Sequence, residues 1–170
     1  MIARRLGLTL CLLIAAACTS SGETADNAAG ERLEAASIAT GLVADPATIP
    51  LDGIWARDSD RMCIMPSSGG ADDAPRHIGV LLDYGEGQGC TARGTLTRSG
   101  RNLTIALGAC RFSARLDGDS IQFPAALPAA CNGLCTGRAT LSALAVERVS
   151  ASVAEARTLR GPNGTALCAD

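Results

Sequence analysis

The sequence predicts a mainly β domain: a small antiparallel barrel or sandwich, disulfide-stabilised, with one short C-terminal helix. Three observations lead there. Residues 90–123 alternate apolar and polar side chains with a period of two, the pattern of strands with one face on a core and one in water. Turn signals at Ser99-Gly100 and Asp117-Gly118 divide that alternation into hairpin lengths. Eight cysteines occur in 170 residues whose aromatic content is only 2%, so cross-links take over work that a larger core would do.

Residues 1–17 read as a secretory signal. Arg4 and Arg5 form a positive start, and Leu6 to Ala17 is an apolar stretch too short to span a bilayer. Residues 18–50 read as a tether. Thr19 to Glu23 is small and polar, Ala25 to Pro50 is alanine-rich, and Glu31, Arg32 and Glu34 suit a short helix ending near Gly41. Pro46 and Pro50 mark the start of the folded part, residues 51–170.

Within that part, Ile54 to Met65 reads as strand, turn and strand, with charges at Arg57, Asp58, Asp60 and Arg61 in the middle. Ile78 to Tyr84 has strand length and is closed by a glycine-rich turn. Cys90, Ala92, Gly94 and Leu96 share one face, against Thr91, Arg93, Thr95 and Thr97. Leu103, Ile105 and Leu107 continue inward, as do Cys110, Phe112, Ala114 and Leu116, then Ile121 and Phe123. Pro124, Pro128, Cys131 and Cys135 make 124–137 irregular. Arg138 to Val149 reads as a strand with Leu144 and Val146 inward. Ser152 and Glu155 have capping-box spacing for a helix over Val153–Arg160. Asn163-Gly164 turns the chain into a final strand, Ala166 to Cys168.

Cysteine arithmetic follows from the signal. Cys11 leaves with it, and Leu13-Ile14-Ala15-Ala16-Ala17-Cys18 resembles the lipobox of bacterial lipoproteins. That resemblance implies a diacylglycerol thioether on Cys18 after cleavage before it and a membrane partner through the lipid, with an envelope protein as a candidate further partner; the acidic charge balance argues against nucleic acid. Ala15 stands where that family usually has Leu, and Thr19 implies the outer membrane, facing the periplasm; secretion into the periplasm by a plain signal peptidase is the alternative. Cys63, Cys90, Cys110, Cys131, Cys135 and Cys168 remain, an even number that reads as three disulfides. Six cysteines allow fifteen pairings. The pairing expected is Cys90 with Cys110, Cys131 with Cys135, and Cys63 with Cys168.

Composition narrows the function classes. All 15 basic residues are arginine, against 17 acids, and loss of Arg4 and Arg5 leaves 13 against 17, a formal −4. That balance argues against a polyanion-binding protein. His77 is the one histidine, so zinc on Cys131 and Cys135 would lack ligands, and a hydrolase triad has one candidate base and no nucleophile elbow. Asp58-Ser59-Asp60 begins like a calcium loop but lacks its later ligands, and Asp72-Asp73 reads as a hydrated loop. Trp55 reads as core. Arg93, Arg111 and Arg115 share an outward face suited to an acidic partner, with a solvated face as the simpler reading. No metal, cofactor or catalytic residue is expected.

Gly53-Ile54-Trp55 followed by Cys63 resembles the opening strand of small periplasmic barrels of the metalloprotease-inhibitor type. It covers about fifteen residues, and the six-cysteine pattern departs from that family. The expectation is therefore a non-enzymatic cell-envelope lipoprotein with a structural or interaction role; the alternative is a periplasmic inhibitor or ligand-binding β-barrel.

Overall fold

The computed structural model describes residues 23–45, 48–67 and 74–168. The signal segment, Cys18, Asp72 and Asp73 lie outside them. The chain divides into two units between Val43 and Ala44.

In the first unit, helix α1 spans Glu23–Ala39 and begins well before Glu31, because the alanine-rich stretch around it favours helix. It ends as the sequence predicts. Gly41 takes a φ of 72°, its N–H donates to Ile38 O at 2.9 Å, and that of Leu42 donates to Ser37 O at 2.9 Å. These two bonds satisfy carbonyls that the last turn leaves free.

The second unit is a closed antiparallel barrel. Its strands are β1 (Gly53–Arg57), β2 (Asp60–Met65), β3 (Arg76–Asp83), β4 (Gly89–Ser99), β5 (Asn102–Leu107), β6 (Cys110–Asp117), β7 (Ser120–Gln122) and β9 (Ala145–Ser150), with a two-residue strand β8 (Cys135–Thr136) outside the ring. Each barrel strand pairs with its neighbour in sequence, β7 pairs with β9, and pairing of β9 with β1 and of β3 with β4 closes the ring. Closure gives every ring strand a neighbour on each side, so no strand of the ring is an edge strand. β5 reaches only Thr95–Ser99 of the long β4. β8 takes the bare edge at Gly89 and Cys90.

Besides Asp58-Ser59 between β1 and β2, three hairpins have two-residue turns, Gly100-Arg101, Gly108-Ala109 and Gly118-Asp119. In each the glycine stands first and takes a positive φ, of 60°, 62° and 55°, which costs a residue without Cβ little. The last turn lies one residue later than Asp117-Gly118 suggests: Asp117 pairs with Ser120 as the end of the ladder.

The interior is filled. Trp55, Met62, Ile64, Ile78, Val80, Leu96, Leu103, Ile105, Leu116, Ile121 and Val146 are all at most 1% exposed, the packed state that eight strands permit. Phe112 and Phe123 pack at 4.7 Å between ring centroids. Tyr84, by contrast, is 53% exposed, since it falls past the end of β3. The alternation read over 90–123 matches the burial pattern of β4, β5 and β6.

Both ends of the barrel are covered. At one end Leu51 is fully buried and its carbonyl accepts from Trp55 Nε1 at 2.9 Å. At the other, residues 124–144 fold across the interior, carrying a 3-10 helix, Ala129–Leu134, and burying Leu141 and Leu144. Arg138 to Leu144 is therefore part of this cover rather than of a strand, and β9 begins at Ala145.

Two disulfides fasten the 124–144 cover, and the full set corrects the expected pairing. Cys90 joins Cys135, Cys110 joins Cys131, and Cys63 joins Cys168. Cys90 and Cys110 do face inward, but two strands and four register positions separate them, about 16 Å at ordinary strand spacing. A disulfide needs Cα atoms within about 7 Å. Cys131 and Cys135 stand at and just after the 3-10 helix, and each reaches a different strand. Only Cys63–Cys168 is as expected.

A second, smaller core lies outside the barrel. Cys63, Met65, Ala156, Leu167 and Cys168 are buried there, with Ile54, Leu81 and Val153 against them. These are outward positions of β1–β3, covered by helix α2 (Val153–Thr158) and the chain's last residues. Gly79 makes room: a Cβ there would lie 2.4 Å from Leu167 O. Ser152 Oγ accepts from Glu155 N at 3.2 Å, capping α2 as predicted, while Ser152 N donates to Ser150 Oγ at 3.1 Å instead of to the Glu155 carboxylate. The expected final strand is reduced to a single bridge, Arg160 to Ala166.

Candidate functional site

With the interior occupied by side chains, chemistry accessible to a ligand lies on the outside and at the ends of the barrel. Three places concentrate polar groups.

The first is a groove of about 470 Å3 between the β3–β4 turn, β8 and residues 162–165. Its polar walls are Asp83, Gln88, Thr91, Thr136, Asn163 and Thr165. Much of this set already serves the fold. Asp83 Oδ1 accepts from Gly85 N at 2.9 Å, Thr136 Oγ1 donates to Gly87 O at 2.7 Å, and Gln88 Oε1 accepts from Arg138 N at 3.3 Å. The groove offers hydrogen bonds to a neutral ligand. Its lining contains the Asp83 carboxylate and the hydroxyls of Thr91, Thr136 and Thr165, with no thiol or imidazole. A smaller hollow of about 230 Å3 lies in the 124–144 cover, beside Asn132, Arg138, Thr140 and Ser142.

The second is the barrel end beside Leu51, where the inward alternation of β3, β4 and β9 ends in arginine on each strand. Arg76 Nε pairs with Asp52 Oδ1 at 3.0 Å. Arg98 donates to Ile49 O at 2.6 Å and to Gly100 O at 2.9 Å. Arg148 stacks on Trp55, its guanidinium carbon 4.8 Å from the ring centroid, a geometry in which the ring face attracts a cation. Its Nε lies 3.1 Å from Asp119 Oδ1, yet Nε and Nη2 are buried without a hydrogen bond. The pair is close but not aligned. Burial lowers the pKa of Arg98 first, the charges of Arg76 and Arg148 lower it further, and Asp45 opposes them. This cluster clamps residues 49–52 over the barrel end. Its guanidiniums are engaged by the protein's own carbonyls, carboxylates and indole.

The third is the outer face of β4–β6. Arg93, Arg111 and Arg115 are all exposed there, and the register places them on one sheet surface, as the alternation predicts.

The remaining sequence candidates disperse. His77 is half-buried on β3, opposite Met65 and Thr95, and lines neither groove nor hollow. Asp58 and Ser59 form the β1–β2 turn and Asp60 opens β2. Among the described residues no three His, Cys, Asp or Glu side chains gather as a metal site, and no helix is long and apolar enough to cross a membrane. Trp55 is core, fully buried. The inward arginines of the barrel end were missed by sequence reading; a charged residue at the last apolar-phase position of β4 (Arg98) and of β9 (Arg148) was the available signal. The fold and these surfaces stand without a relative to compare: no protein-family model, no curated protein and no solved structure matches the chain.

Proposed function

We propose that this chain is a non-enzymatic cell-envelope lipoprotein with a structural or interaction role, anchored through Cys18 and acting through the outside of its barrel. The single observation that carries the interaction role is the filled and covered interior. A barrel with Trp55, Leu51, Met62 and Ile64 at its centre, all fully buried, has no room for a carried ligand, which leaves recognition to its surfaces. The sequence supports the anchor, since the residue after the small-residue cleavage site is cysteine. Removal of Cys18 also leaves an even set of six, all of them paired. An oxidising compartment suits those bonds.

Metabolic labelling with a clickable fatty acid tests the anchor. Wild type should label and Cys18→Ser should not, remaining as precursor or as a soluble secreted form. Equal labelling of the two overturns it.

The barrel topology favours one second reading, a periplasmic inhibitor. The opening strand Gly53-Ile54-Trp55 leads a small antiparallel barrel of the kind its resemblance implies. The packed interior moves any inhibitory contact to the surface. Inhibition assays against proteases and lysozymes separate it from the first reading.

A further inference from the structure

Arg93, Arg111 and Arg115 join the sheet through their backbones, but their side chains stand out from it into solvent. Among the described residues none of their three guanidinium groups makes a hydrogen bond or an ion pair, whereas those of Arg61, Arg76, Arg98, Arg148 and Arg160 all do. Arg111 lies across from Ala106 and Arg115 across from Asn102. Ala106 lies across from Thr95, one outward position beyond Arg93. At ordinary strand rise and spacing, Arg93 and Arg111 stand about 12 Å apart, and Arg111 and Arg115 about 13 Å. Exposed Thr95, Thr97, Thr104 and Ser113 fill the surface between them. The one carboxylate at an outward position of these strands is Asp117, at the hairpin end. The outer face of β1–β3 is covered by α2 and the chain's last residues.

The chemistry of this face selects its occupant. A stable protein interface has aromatic or apolar anchors at its centre, and here the only apolar outward side chain is the small Ala106. Spaced cations among hydroxyls, on a rigid sheet, fit a broad negative surface on which any phosphate serves as well as the next. The chain's formal −4 opposes such contact. Its reach is short, however: the Debye length is about 8 Å at physiological salt, so acids on the far side of the barrel are screened and the three arginines dominate near the face.

We propose that the β4–β6 face docks on the anionic phospholipid headgroups of the bilayer that holds the chain. The proposal rests on the lipoprotein reading only for the barrel's nearness to a bilayer. Its test therefore uses the mature chain carrying Cys18→Ser, so that no acyl chain contributes. This protein should sediment with vesicles of phosphatidylglycerol and phosphatidylcholine, not with phosphatidylcholine alone, and high salt should release it. Arg93→Gln, Arg111→Gln and Arg115→Gln combined should weaken the partition about a hundredfold, at about fivefold per arginine, with the melting temperature unchanged. No partition at low salt, or equal partition of the triple variant, overturns the proposal. Retention on an immobilised acidic polypeptide without vesicle binding assigns the face to a protein partner, which also overturns it. Absent fatty-acid labelling with intact vesicle binding would remove the anchor and leave the face standing.

Discussion

Asp60 shows how a single side chain can weaken this barrel. It opens β2 beside the Asp58-Ser59 turn, and one carboxylate oxygen, Oδ1, is buried without a hydrogen bond. Burial holds its pKa above the ordinary 3.8, Asp58 pushes the same way, and Arg61 and Arg57 pull against them. The folded protein thus keeps this proton at a pH where the unfolded chain has released it. Stability falls as pH rises from the ordinary value through the raised one. Asp60→Asn should raise the melting temperature at pH 7, and the gain should vanish near pH 3, where both states carry the proton. A variant no more stable than wild type at pH 7 would show that solvent reaches this carboxylate better than its surroundings indicate. Ser152 has the opposite sign. Its hydroxyl serves the Glu155 amide, so Ser152→Ala should cost about 1 kcal/mol, roughly 4 °C for a domain of this size. Ser152→Asp should restore most of that in the same thermal melts.

At the scale of elements, what the sequence revealed depended on whether the controlling contact was local. β4, β5 and β6 were legible because period-two burial and a glycine-led turn are written within a few residues of each other. The α2 cap was legible for the same reason, since Ser152 and Glu155 lie within one helical turn. Residues 138–144 misled because Leu141 and Leu144 are apolar at plausible strand spacing, yet their burial comes from lying across the barrel end. The cysteine partners were hidden for a related reason: Cys131 and Cys135 reach Cys110 and Cys90 only once residues 124–144 lie across the barrel end. Val149 is 66% exposed. It is the extra residue where β9 slips against Ile54 and Trp55, a bulge that turns its side chain out. The arginine face is a mixed case. Its shared orientation followed from alternation, but its freedom from partners did not.

For the whole molecule, the three cross-links differ in how much chain each one encloses. Cys110–Cys131, Cys90–Cys135 and Cys63–Cys168 have sequence separations of 21, 45 and 105. In the chain-entropy relation these constrain the unfolded state by about 3, 4 and 5 kcal/mol. Paired Cys→Ser variants should therefore lose stability in that order in urea unfolding, with the Cys63–Cys168 variant lowest. A Cys110–Cys131 variant that ranked lowest would place the main stabilising role in the barrel-end cover rather than in loop closure. Peptide mapping under non-reducing conditions should recover these three pairs and no Cys131–Cys135 peptide.

The Cys63–Cys168 bond also has a mechanical consequence. A chain pulled between a point ahead of β1 and a point after Cys168 transmits load through β1 to Cys63. From there the bond carries that load straight to Cys168, because their Cα atoms are only 6.0 Å apart. Seven of the eight barrel strands have residues inside that covalent loop, which encloses a sequence separation of 105. Under tension it withholds about 360 Å of contour length, at about 3.4 Å per residue. Stretched while oxidised, the protein can pay out chain ahead of Cys63 and after Cys168 but none of the loop between them, so extension ends in a hard stop. Reduction removes that stop and turns the same molecule into a long, soft spring.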